Sequence, residues 1–393
     1  MTAGIDHQPR RHAGRILIVY LGQLTNVARV ARHVDFLRAD YEVVVAAWGP
    51  DPRIPGAEFI ELPTTGGSRA AAAGRIALRL ADRYDQAYWR DPRMRHWRAL
   101  IAAALPLDAI LVNHLAAVPL ALAVDRSVPV IFDAHEHWTS ESVSWTWRQR
   151  LSMRGAHEWI VDRHVPRTAA MMTVSAGIAR DFHGRCGVSP RLVTNAPFFE
   201  DLLPTAVDDE RIRLVHVGLA DERRRLEDTI EAVTMLDDRF SLDLILGRDN
   251  AYRRRLEKLA AQHARIRVLA PVPSNELLSV ANRYDVGVFL LPGQNPNQVH
   301  VLPNKLFDYI QARLAVAIGP SVEMAAIVRQ WDCGVVSESF EPASLAVALA
   351  ALDGATVERM KRNADRAAQV LTAERNRDIV REVVGEAVRR GSA

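Results

Sequence analysis

The chain has 393 residues, 25% of them charged and 49% apolar, a length that divides into two or more domains with their own cores. A net charge of +3, with no Lys/Arg-rich tail and no aromatic-basic repeat, leaves no footprint for nucleic acid. The longest apolar run, Ala99 to Val112, is broken by Pro106 and Asp108 and is too short to span a bilayer, and the start lacks an apolar secretion signal, so a cytoplasmic chain is expected.

Residues 1–14 are polar and are expected to form a flexible start. Beyond them short β-branched runs alternate with helical stretches: 15–20, then a helix from about Asn26, then runs at 41–47, 58–62, 109–113, 128–133 and 170–174. This βαβ rhythm predicts a parallel sheet over 15–198. Prolines 197 and 204 bracket a stretch with neither period, which places a linker at 199–210. The rhythm restarts at 212–217, 242–246, 266–268, 286–291, 315–318 and 335–336, a second doubly wound domain over 211–365. From Thr356 to Arg390 the pattern reads as helix throughout, and 366–393 is expected to pack back on the first domain.

Ligands of open α/β sheets bind at the carboxyl ends of the strands. The first such loop, Leu21-Gly22-Gln23-Leu24-Thr25, has one glycine where a dinucleotide fingerprint needs three, and no Walker lysine motif occurs. After the strand at 128–133 comes Asp133-Ala134-His135-Glu136-His137-Trp138. Without a third histidine nearby a metal trio is disfavoured, as is a structural zinc on the distant Cys186 and Cys333. His135 reads either as a hydrogen-bonding group facing a sugar hydroxyl or as a helix cap.

The strand at 212–217 leads to Gly218 and then Asp221-Glu222-Arg223-Arg224-Arg225-Leu226-Glu227. Three adjacent arginines repel unless neutralised, and a diphosphate suits the guanidinium fork; a solvated basic helix start explains them equally. Val272-Pro273-Ser274-Asn275-Glu276-Leu277 is a turn and helix cap that could offer backbone groups to a nucleobase. The most telling segment is Leu302-Pro303-Asn304-Lys305-Leu306-Phe307-Asp308-Tyr309-Ile310. Pro303 and polar Asn304 open a helix whose free N–H groups and dipole add to the Lys305 ammonium, with Asp308 on the same face at i+3. A cation for phosphate beside an acceptor for hydroxyls suggests a nucleotide; alone, an amphipathic helix with solvated charges accounts for it too.

Taken together, the blocks ILVNHLAAVPLAL, VIFDAHEHWTSE, MMTVSAGIA, RLVTNAP, HVGLADERRRLEDTIEAV and VLPNKLFDYIQARLAVAIG resemble, in order and over nearly the whole chain, the retaining GT-B glycosyltransferases of family 4. The resemblance implies two Rossmann-like domains with an interdomain cleft and a C-terminal helix crossing back to the first. It implies transfer of a sugar, with retention, from a nucleotide-diphosphate donor, a UDP or GDP sugar, to an acceptor, with no metal and no cofactor. Carried over by position, Arg224 and Lys305 are similar to the diphosphate-binding pair, Asp308 to the ribose-binding acid, and His135 to the histidine that reaches the donor sugar. Gly218, Val272, Pro273, His300, Val301, Leu302 and Asn304 fall on the donor side, and Gly22, Gln23, His137 and Glu141 on the acceptor side.

Two positions depart from the family's pattern. Its Glu-x7-Glu is here His300 and Asp308, and Leu219 stands where several relatives carry a second arginine, for which neighbouring Arg223 or Arg225 could compensate. These departures point to a different donor sugar; a 2-epimerase-like isomerase and a non-catalytic sugar-nucleotide-binding subunit stay open as alternatives. Trp89, Arg90, Arg93, Arg95, Trp97 and Arg98 form a basic, aromatic segment suited to rest on anionic lipid at the inner face of a membrane, or else to pack its tryptophans inward. The acceptor, whether polysaccharide intermediate, natural-product scaffold or small thiol, is not legible.

Overall fold

Ile16, Leu17, Ile18 and Val19 have no exposed surface, so their strand is covered on both faces, the condition under which parallel sheets form. The computed structural model describes residues 12–24, 28–64, 69–135, 137–138, 147–293, 298–299 and 302–391. The chain divides into two units, Met1–Val193 with Arg377–Ala393, and Thr194–Asn376. In the first unit β1 (Arg15–Gln23), β2 (Glu42–Trp48), β3 (Ala57–Glu61), β4 (Ala109–Val112), β5 (Val130–Ala134), β6 (Ala170–Thr173) and β7 (Arg191–Leu192) form one sheet in the order β3-β2-β1-β4-β5-β6-β7. Every pairing is parallel, and the order reverses direction between β1 and β4. Leu17, Val112, Phe132, Trp97 and Phe182 belong to the core on this sheet.

The second unit repeats the plan with β8 (Ile212–Leu219), β9 (Phe240–Gly247), β10 (Ile266–Leu269), β11 (Val286–Phe289), β12 (Ala315–Ile318) and β13 (Gly334–Val336) in the order β10-β9-β8-β11-β12-β13. It too is parallel, with its reversal between β8 and β11. Both units are therefore doubly wound α/β sheets, each with a switch point where ligands characteristically bind.

Two local features differ from the sequence expectation. β1 continues through Gly22 and Gln23, because Gln23 pairs with Trp48 after a register shift, so these two residues end a strand instead of forming a loop. The C-terminal helix is two helices, Gly354–Ala368 and Ala373–Gly391. Gln311 donates its side-chain amide to the carbonyls of Ala368 (2.5 Å) and Leu371 (3.3 Å), satisfying carbonyls a helix end leaves open, and Ala373 donates its N–H to the Pro197 carbonyl (2.7 Å). Residues 199–210 are tied along the second unit, where Arg313 donates to the Glu200 carbonyl (2.8 Å) and Lys361 to Thr205 Oγ1 (2.8 Å). The last helix contributes Arg381 and Glu382 to the first unit, paired at 2.7 Å with Asp40 and Arg191. Among the described residues no helix is long and apolar enough to cross a membrane.

Candidate functional site

A cavity of about 490 Å³ opens in the second unit, within the size range of small-molecule sites. Its wall combines the end of β8 (Val217, Gly218, Leu219), Ile245 and Gly247 of β9, the turn at Pro271, Val272 and Ser274, and the start of the helix Asn304–Gln311. Leu306, Phe307 and Ile310 bury one face of that helix, and Tyr309 locks its rotation. The Tyr309 hydroxyl accepts the Val217 N–H (3.2 Å) and donates to the Val288 carbonyl (3.3 Å). Gly287 permits this, since a Cβ there would overlap the Tyr309 ring. The opposite face turns Lys305 and Asp308 to the cavity.

Pro303 is the N-cap of this helix, in an extended conformation, and Asn304 is its first helical residue. The expectation that Asn304 supplies a polar cap is thus corrected: no side chain caps the helix, because a proline occupies the capping position. The leading amides stay directed at the cavity wall, the arrangement that favours an anion.

Lys305 and Arg224 converge on Gly218, where a Cβ would overlap Lys305 Nζ and lie 3.4 Å from Arg224 Nη1. Lys305 keeps some surface yet sits deep among protein atoms, so burial, then repulsion by Arg224, pulls its pKa down to about 7 against the opposing pull of Asp308. The Phe289 ring lies 5.4 Å from its ammonium. Burial likewise lowers Arg224, partly offset by Asp221. The pocket therefore holds a poorly solvated arginine beside a lysine that burial drives toward its neutral form, and an incoming diphosphate favours the charged form of both.

Arg223 and Arg225, the neighbours that could compensate for Leu219, are both engaged locally. Arg223 grips Asp221 at 2.6 and 3.0 Å, and Arg225 pairs with Asp228 at 3.0 Å, local carboxylates that neutralise each before any ligand arrives. Leu219 itself lines the cavity. Pro273 and Leu302 are not in the wall; the Leu302 carbonyl instead accepts from Asn195 Nδ2 (3.3 Å). His300 and Val301 lie outside the described residues. Sequence reading missed His216, buried with Nδ1 3.0 Å from the Val288 carbonyl, whose pKa burial and then Lys305 push well down, so it remains neutral beside the cations. Its only signal was a polar residue inside an apolar strand.

The first unit holds the remaining predicted residues. His135 follows β5 and lines a small recess with Asn113, Phe132 and Trp138. His137 stacks on Trp138 (3.9 Å between rings) and pairs with Asp181 at 3.1 Å. Glu136 and Glu141 lie outside the described residues. In the helix Pro92–Ala102, Trp97 is buried and donates to the Pro63 carbonyl (2.9 Å), and Arg93 is held by Asp91, which leaves Arg90, Arg95 and Arg98 exposed. The inward packing is the one observed. Among the described residues no group of three or more His, Cys, Asp or Glu is placed to hold a metal ion.

No protein-family model matches the chain, and no curated protein sequence matches it. Solved structures do. Anabaena Alr3699/HepE in complex with UDP-glucose superposes with a TM-score of 0.68 at 12% identity, covering 95% of this chain and 99% of that one. WaaG, a glycosyltransferase involved in lipopolysaccharide biosynthesis, gives 0.64 at 16% identity over 93% and 99%. Sucrose-phosphate synthase from Thermosynechococcus elongatus gives 0.68 at 14% over 97% and 99%. At such identities the likeness shows the fold, the paired Rossmann-like units of GT-B glycosyltransferases.

Proposed function

We propose that the chain is a retaining, metal-independent glycosyltransferase of family 4 type, taking a sugar from a UDP or GDP sugar to an acceptor held by the first unit. The observation that carries this reading is the meeting of Lys305, Arg224 and an uncapped helix start at Gly218, in a cavity at a switch point. Complexes of HepE with UDP-glucose, and with UDP and glucose, support the choice of a nucleotide-sugar donor.

In this reading the bond between the anomeric carbon and the diphosphate oxygen breaks, and charge grows on the departing phosphate. Lys305, Arg224 and the helix amides stabilise that charge, the task a metal ion performs elsewhere. The acceptor oxygen bonds to the same face of the anomeric carbon while a departing phosphate oxygen takes its proton. Asp308 binds the ribose, the Val272 turn meets the base, and His135 attends the reacting sugar from the first unit. Leu219 and His300, where the family pattern fails, set the choice of donor sugar. Contact with anionic lipid would rest on Arg90, Arg95 and Arg98 alone, since Trp97 is folded inward.

Thermal shift against UDP-, GDP-, ADP- and dTDP-sugars tests the reading, because a ligand that binds only the native state raises its melting temperature. One sugar nucleotide is expected to stabilise the protein, and turnover of that donor is expected to survive EDTA with the anomeric configuration retained. No stabilisation by any of the four classes, activity lost to EDTA and restored by magnesium, or an inverted product by NMR each contradicts it.

A further inference from the structure

Asn113 stands one residue past β4, beside the switch point of the first unit, and is buried. Its amide is clamped from below. Asp133 on β5, fully buried, receives Arg29 Nε and Nη2 at 2.6 Å each and Asn113 Nδ2 at 2.8 Å. Burial alone would favour protonated Asp133, but Arg29 outweighs it and holds the carboxyl below its usual range. An ionised carboxylate only accepts, so the amide nitrogen of Asn113, and not its oxygen, faces it. The same nitrogen lies 3.4 Å from His33 Nδ1. Burial brings His33 down to about 3, leaving a neutral ring that can accept there.

With both amide N–H groups committed to Asp133 and His33, Asn113 Oδ1 is the remaining polar atom of the side chain. It is buried and has no hydrogen-bond partner among the described residues. Asn113 and His135 line the same recess, together with Leu115, Phe132, Ala134 and Trp138, and its volume of about 10 Å³ suits a single water-sized group. Asn113 thus brings an unpartnered buried acceptor to the edge of an apolar and aromatic niche, and such an acceptor is costly unless something donates to it.

We propose that Asn113 Oδ1 accepts a hydrogen bond from one sugar hydroxyl of the substrate seated beside His135, with Asp133, Arg29 and His33 as the clamp that aims it. This rests on the glycosyltransferase reading above. The hydroxyl belongs to the donor sugar or to the acceptor, and the niche admits the O–H of either but not a whole ring. Asn113 is then a substrate-contacting residue that sets which hydroxyl pattern is accepted, and the clamp residues act through it.

The test measures binding to the full chain and to Asn113→Ala, with Asn113→Ser, which keeps a donor toward Asp133, used where alanine does not fold. The donor arm uses UDP, UDP-glucose, and UDP-glucose lacking the 2-, 3-, 4- or 6-hydroxyl. The acceptor arm uses methyl glucoside and its monodeoxy forms with UDP present. UDP alone is expected to bind wild type and variant equally. One deoxygenation is expected to weaken binding to wild type about tenfold and to cost the variant less than about twofold. Coupling in the donor arm assigns the hydroxyl to the donor, and coupling in the other arm assigns it to the acceptor. Absence of any coupled position in both arms overturns the inference while leaving donor binding at Lys305 intact. Failure of UDP and of GDP to bind either protein overturns the underlying glycosyltransferase reading instead.

Discussion

Lys305→Ala is expected to lower kcat by roughly 100- to 1,000-fold, the loss that follows removal of one preorganised charge from a developing anion. The size of the effect comes from the site's dryness. Lys305 is screened by protein on most sides, its neighbour Arg224 is also partly desolvated, and water cannot take over the lost role cheaply. The helix should survive the change, since Leu306, Phe307, Tyr309 and Ile310 anchor it independently of residue 305. Asp308→Asn is expected to behave differently. It removes a charged acceptor for ribose hydroxyls, about 1.5–3 kcal/mol, and so raises KM by roughly 10- to 150-fold with a smaller change in kcat. Steady-state kinetics on folded variants, with the donor that thermal shift selects, separates the two. Normal parameters in both would mean that the helix is merely amphipathic.

Gly218→Ala is expected to cost about 100-fold in kcat while leaving the fold nearly untouched. The added methyl would overlap Lys305 Nζ and Cε, whereas the other near atom, Arg224 Nη1, sits at 3.4 Å. Lys305 Nζ is the far end of a flexible side chain, so it yields, and the ammonium moves by about 1 Å, a displacement that costs such a factor when charge placement is what catalyses. The strand tolerates alanine, because Gly218 pairs with Leu246 in an ordinary extended conformation. Melting within a few degrees of wild type together with lost turnover is the expected pair of results. A variant with wild-type kcat would show that the position of the Lys305 ammonium is not critical.

The strands with an apolar run of four or more were legible because burial on both faces leaves no charged or polar side chain there, as in Ile16–Val19 and Val286–Phe289. β7 was not, since it is only Arg191 and Leu192, both exposed, too short for any period to register. The helix Asn304–Gln311 was legible from local chemistry, a proline and a lysine at its start. Its exact cap was not, because Pro303 and Asn304 are each acceptable at the first position and tertiary packing decides. The pairings of Arg223 with Asp221 and Arg225 with Asp228 lie two and three residues apart, within reach of sequence reasoning, which left carboxylates and an anion both open as neutralisers. The Asn113 clamp lay beyond such reasoning: Arg29 and Asp133 are 104 residues apart, and only the parallel sheet brings them together. The break before Ala373 has the same origin, a Gln311 side chain arriving from 57 residues upstream of Ala368.

Whether Lys305 is a diphosphate ligand is decided by titrating UDP into the protein at pH 8 in two buffers of different ionisation enthalpy. Free Lys305, with a pKa of about 7, is mostly neutral at pH 8; a bound diphosphate favours its charged form and raises that pKa. UDP binding is therefore predicted to take up close to one proton at pH 8, to weaken as the pH rises above 7, and to lose the uptake in Lys305→Ala. Binding with no proton uptake, equally tight in wild type and Lys305→Ala, would contradict the account.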